Sequence, residues 1–125
     1  MSAHISLQIR HAFQDLERLA VGLEFPIARL WVAGTDRKSP RGDPLIGTYQ
    51  ESYLAMKINP PEGTIAEAIG MVHRAFLSAP ADLLPVLADP DLRKSLYCTL
   101  DSEGERLDLN SLSILVELGI ELEVE

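Results

Sequence analysis

Hydrophobic and polar positions alternate at both ends of the chain, and between those ends the period changes several times. Over residues 4–10, Ile5, Leu7 and Ile9 alternate with His4, Ser6, Gln8 and Arg10, which predicts a strand with one face in water. The spacing of Phe13, Leu16, Leu19 and Ala20 predicts a short helix over about 13–21, with Gly22 as its stop. Asp15 offers an alternative N-cap, with the helix starting two residues later. Residues 23–34 are mostly apolar, bend at Pro26 and hold the single tryptophan, Trp31. Glycine, proline and charge then make 34–44 a loop. Residues 45–58 read as extended, irregular until Gln50–Ser52 and regular from about 53, where Leu54, Met56 and Ile58 share a face.

The second half is punctuated more sharply. Asn59-Pro-Pro-Glu-Gly63 is a boundary, and Thr64 with Glu67 makes a capping box in which each side chain satisfies a free amide of the first helical turn. The helix so opened carries Ile65, Ile69, Val72 and Phe76 on one face, with Ala68 and Ala75 beside them, and runs to about Ser78. Pro80 starts a further helical turn through Leu83, Leu84 and Leu87. A third strand is expected over 93–101, with Leu96, Cys98 and Leu100 inward, followed by a turn over 101–105. Asn110 is placed to cap a last helix with Leu112, Leu115 and Val116 at helical spacing and Gly119 at its left-handed end. From Ile120 the period becomes two, and Ile120, Leu122 and Val124 alternate with Glu121, Glu123 and Glu125.

These elements predict one α+β domain spanning 1–125, in two layers. A mostly antiparallel four-stranded sheet, in β-α-β-α-β-α-β order, carries its helices on one face. Strands apolar on one side only argue against a doubly wound parallel sheet, whose strands are buried on both.

Charge changes the picture at one end. The chain of 125 residues has a formal net charge of −8, yet residues 1–100 hold eleven acids against ten bases. Residues 101–125 hold eight acids against Arg106 alone. Nucleic acid is therefore not an expected partner, since phosphate neutralisation needs a basic stripe. Acids on a strand's outer face keep an edge soluble; alternatively, Glu121 and Glu123 form a surface that meets a basic partner. No run of about 18 apolar residues exists, so no membrane span is expected. A single cysteine and a first stretch without a basic-then-apolar signal make the reading cytoplasmic.

Candidate chemistry is sparse. His4, His11 and His73 share no metal-ligand spacing and no acid is placed to orient any of them, so all three read as surface or half-buried spectators. Cys98 lies between apolar neighbours and reads as core. Asp101, Glu103 and Glu105 lack the ligand set of a calcium loop, so no metal or cofactor is expected. Arg37, Lys38 and Arg41, close to Trp31, form the single basic cluster, fit for a phosphate, a carboxylate or an acidic partner. The plain alternative is a surface loop balanced by Asp36 and Asp43 over a core tryptophan.

Three segments carry a family resemblance: Val21-Gly22-Leu23 with Pro26, Arg29-Leu-Trp-Val-Ala-Gly34-Thr-Asp-Arg37, and Leu107-Asp-Leu-Asn-Ser-Leu with Glu117-Leu-Gly-Ile-Glu-Leu122. Through them the chain resembles the uncharacterised bacterial domain-of-unknown-function family 4279. The resemblance implies an α+β domain in a bacterial cytosol and assigns no activity. The residues favour a non-enzymatic module that binds another protein or itself, an immunity- or antitoxin-like role being one version. The alternative is a small anionic-ligand binder or enzyme with its site at Trp31 and the 34–44 loop.

Overall fold

The computed structural model describes residues 4–39, 41–99 and 105–125. Its organising strand is β1 (His4–His11), whose alternating pattern places Ile5, Leu7 and Ile9 inward, each 5% exposed or less. Two antiparallel neighbours flank it, β5 (Ser52–Ile58) and β6 (Arg93–Thr99). In register, Leu7 faces Met56 on one side and Leu96 on the other, so the three central strands present a single apolar face. β2 (Ile27–Trp31) adds antiparallel to β5, and β7 (Ile120–Val124) adds parallel to β6. The order is β2-β5-β1-β6-β7.

The apolar face is covered by α1 (Glu17–Leu23), α2 (Ile65–Leu77), a 3-10 turn (Ala81–Leu83) continuing into α3 (Leu84–Leu87), and α4 (Leu109–Leu118). Their buried residues join Ile5, Leu7, Ile9, Leu54, Met56 and Leu96 in one cluster. The other face carries Ser6, Gln8 and Arg10, with Lys57, Ala55 and Tyr53 opposite them on β5. The α+β architecture with helices on one side is therefore present.

The four expected strands correspond to β1, β5, β6 and β7, but the sheet has five strands and mixed direction. The stretch before Trp31 forms the fifth, because pairing with β5 satisfies its backbone although most of its side chains are exposed. The 34–44 loop is likewise partly strand. β3 (Asp36–Lys38) pairs with β4 (Pro44–Thr48) as a two-stranded arm, separate from the main sheet. The parallel β6–β7 pair requires a crossover, and α4 supplies it.

Two helix ends also differ from expectation. The first helix begins at Glu17, later than either expected start, with Leu16 and not Asp15 at the N-cap position, although the Glu17 amide donates to Asp15 Oδ1 at 2.9 Å. Phe13 lies outside it, 76% exposed. Gly22 is inside α1 rather than its stop, and a Cβ there would collide with the buried Leu83 side chain. The last helix is capped by Asp108, which accepts from Ser111 N at 2.7 Å, not by Asn110. Its phase therefore rotates: Ser111 and Leu115 are buried while Leu112 and Val116 are exposed. Gly119 ends α4 at φ 67°, a left-handed turn that leads directly into β7. The expected inward Leu100 and the turn residues 101–104 lie outside the described residues.

The Thr64–Glu67 capping box is present, and a third group completes it. The Glu105 carboxylate accepts from Ile65 N at 2.7 Å and Ala66 N at 2.9 Å. The start of α2 thus has its free amides taken by two acids and the Thr64 hydroxyl, and the acids carry the sign its dipole favours. Glu105→Ala should lower the free energy of unfolding by about 1–2 kcal/mol. Glu62→Ala, an exposed acid beside the same helix, should change it by less than about 0.5 kcal/mol. Urea denaturation of the two variants checks the difference.

Candidate functional site

The long hairpin from β2 to β5 is interrupted where the sheet gives way to the arm. Tyr49 sits at that point, its amide donating to Thr35 O at 3.0 Å and its carbonyl accepting from Gly34 N at 2.9 Å. Its hydroxyl reaches up the arm, accepting from Lys38 N at 3.1 Å and donating to Lys38 O at 3.3 Å. On the far strand the buried Ser52 Oγ accepts from Ala33 N at 3.0 Å. These bonds fix the base of the arm through groups that periodicity does not reveal.

Aromatic rings reinforce the junction. Trp31 stacks on Tyr49 with ring centroids 4.7 Å apart and planes within 7°, and it meets Tyr53 at 4.7 Å with a 41° tilt. Arg10 lies over the Tyr53 ring at 4.5 Å and pairs with Glu51 at 3.3 Å. Trp31 is half-buried on the helix-free side, directly opposite Tyr53 in register, and is not part of the central cluster. The tryptophan is therefore a wall of the arm's base rather than the core residue of the plain alternative.

Arg37 and Lys38 lie exposed on β3, and Arg41 lies exposed at the arm's tip. Asp36 and Asp43 make no ion pair with them among the described residues. A groove of about 900 Å³ runs beside β2, bounded by Glu17 of α1 and by Lys38 and Gly42 of the arm. A smaller one, about 400 Å³, has Arg37 and Leu45 in its lining. Arg29, Trp31, Lys38 and Tyr49 line both. Glu121 and Glu123 are exposed on β7, at the opposite edge of the sheet, so the two groups of candidate residues are not brought together.

Sequence reasoning missed one pair altogether. His11 is 1% exposed, and its Nε2 lies 3.0 Å from Asp89 Oδ2. Its Nδ1 accepts from Phe13 N at 3.2 Å and Gln14 N at 3.0 Å. Two amides can point at Nδ1 only if it carries a lone pair, so the proton is on Nε2 and is donated to Asp89. Both nitrogens are committed and the ring is closed to solvent. The pair clasps the end of β1 to the connection between α3 and β6, and it has no free nitrogen with which to act as a base. Asp89 stands 78 residues away in sequence, which is why no local signal pointed to it.

Other chemical groups are equally occupied. Burial, with the Glu105 charge added, pushes the Cys98 thiol up to about 11, which keeps it protonated and unreactive at neutral pH. His73 lies 4.0 Å from Glu117 on the surface of the helical layer. Among the described residues no group of three His, Cys, Asp or Glu is placed to hold a metal ion.

The clasp makes an acid-range prediction. The Asp91 amide and the His11 side chain hold the Asp89 carboxyl below the ordinary aspartate range. A depressed folded-state value stabilises the fold above the unfolded pKa of about 3.9 and loses that contribution as pH falls through the folded value. Asp89→Asn should therefore flatten the loss of thermal stability as the pH falls below about 4, relative to the parent. His11→Leu removes the acceptor of the Phe13 and Gln14 amides together with the bond to Asp89, and should cost about 1–2 kcal/mol at neutral pH. Thermal melts across pH check both.

No known family, curated protein or solved structure matches this chain.

Proposed function

We propose that the chain is a non-enzymatic protein–protein interaction module and that the arm is the element a partner recognises. The observation that carries this reading is Ile46, 94% exposed, beside the half-exposed Leu45 on a ribbon that lies outside the main sheet. A recognition element works best when its scaffold is rigid, because little freedom is then lost on binding. The Trp31–Tyr49–Tyr53 stack and the Tyr49 hydroxyl supply that rigidity at the base. His11, the group best suited to acid–base work, is buried and bonded to Asp89, and Cys98 is buried with its thiol held protonated, so no residue is given a catalytic role. An immunity- or antitoxin-like role is one concrete form of the reading.

A photo-crosslinking residue placed at position 46 in cells of the native host tests it. A discrete adduct of one protein species is expected there, and none from the same residue at position 59, the exposed site at the other end of β5. No adduct at 46, or the same adducts at both positions, would count against the arm.

A second reading, a binder of small anions, is favoured by the groove of about 900 Å³ with Arg29 and Lys38 in its lining. Phosphate or citrate should then raise the melting temperature, as any ligand selective for the folded state does. The rise should vanish in the double variant Arg29→Ser/Lys38→Ser. No rise, or a rise that survives both substitutions, removes this site.

A further inference from the structure

The main sheet ends in two strands of equal length, β2 and β7, each of five residues. Neither has a strand on its outer side among the described residues. We propose that these two edges are complementary and that the chain associates head-to-tail with further copies of itself, β7 of one copy adding to β2 of the next. The inference rests on the interaction reading above but uses a surface other than the arm's tip.

Strand direction is the first argument. β2 runs antiparallel to β5, which runs antiparallel to β1, so β2 points the same way as β1. β6 is antiparallel to β1, and β7 is parallel to β6, so β7 points the opposite way. A second copy placed beside the first in the same orientation therefore sets β7 antiparallel to β2, with the helices of both copies on one side. Antiparallel pairing is the slightly more stable ladder.

Side chains match on both faces of such a joint. On the helix-free face, Arg29 stands at the β2 edge with Lys57 behind it on β5. On the same face of β7 stand Glu121 and Glu123, aligned with Ser95 and Tyr97. Among the described residues Arg29, Glu121 and Glu123 make no ion pair within the chain. On the helix face, Ile27 remains 51% exposed at one edge and Val124 45% exposed at the other. Stacking copies would bring basic against acidic on one side and apolar against apolar on the other.

The same charges argue against the symmetric alternatives. A β7–β7 dimer opposes glutamates to glutamates, and a β2–β2 dimer opposes Arg29 to itself; like charges across a ladder are destabilising. Room for the incoming strand is present. The groove of about 900 Å³ touches the consecutive residues Ala28, Arg29, Leu30 and Trp31. A cavity over one face of a strand meets alternate residues, so one that meets four in a row lies along its edge. Heterologous contacts do not stop at two copies unless the rotation closes a ring.

Sedimentation velocity over a dilution series at low salt tests the proposal. The mean mass of the parent chain should rise with concentration past twice the protomer's 13.8 kDa, and it should fall back as sodium chloride screens the contact. Arg29→Glu alone, and Glu121→Lys/Glu123→Lys alone, should each remain monomeric at concentrations where the parent associates. All three sites are exposed, so circular dichroism should show both variants folded. An equimolar mixture should associate again and grow past the dimer with the two variants alternating, because the intact β2 edge meets the intact β7 edge and the two charge-reversed edges are again opposite in sign. A parent that stays monomeric throughout, association that neither variant weakens, or a mixture that stays monomeric overturns the inference. Adducts at position 46 that persist in Arg29→Glu would separate its failure from failure of the arm reading.

Discussion

One-sided burial of β1 is the constraint from which the rest of the molecule follows. Ile5, Leu7 and Ile9 lie beneath the helices while Ser6, Gln8 and Arg10 face away, so the strands that pair with β1 inherit the same division through register. A slip of one residue would turn the inward set of a strand outward. Every helix must then be found on the inward side, and the outward side is left to polar, charged and aromatic groups. The surfaces available for recognition are a product of that division.

A few long-range polar contacts hold the helical layer in place where apolar packing alone is unspecific. Glu105 ties the approach to α4 onto the start of α2, and the His11–Asp89 pair ties the end of β1 to the connection after α3. Lys94 does related work from β6. It occupies an inward register position opposite Ile9, and its Nζ donates to Leu87 O at 2.8 Å, 5.9 Å from the centre of the Phe76 ring. Burial lowers its pKa, the expected direction for an ammonium drawn partly out of water. Each contact joins an element end to a distant segment, so the order of the helices is set by directional bonds as well as by volume.

Much of this architecture could be read along the chain, and the reason differs by element. β1 alternates cleanly because one face is fully buried, β5 carries Leu54, Met56 and Ile58 on that face although Tyr53 and Ala55 are covered too, and α2 is bracketed by a capping box that local chemistry specifies by itself. β2 and the arm could not be read in the same way. Their side chains are largely exposed, so their strands are defined by backbone pairing across the chain rather than by a pattern of burial. Asn110 and Asp108 are both good caps two residues apart, and only packing decides between them, with Ser111 and Leu115 taking the buried stripe. Trp31 and the basic residues were visible as a group, but the partners that give Trp31 its place, Tyr49 and Tyr53, follow only from the register of the hairpin. The His11–Asp89 contact depends wholly on the tertiary fold.

The position of the single tryptophan has a practical consequence for how unfolding is observed. Its indole is sandwiched between tyrosines at the root of the ribbon and stands apart from the buried cluster under the helices. Emission excited near 295 nm therefore senses the root of the arm, whereas far-ultraviolet ellipticity senses the helical layer. Divergence of those two optical signals on heating would reflect early fraying of the ribbon and would not by itself establish a partly folded global state.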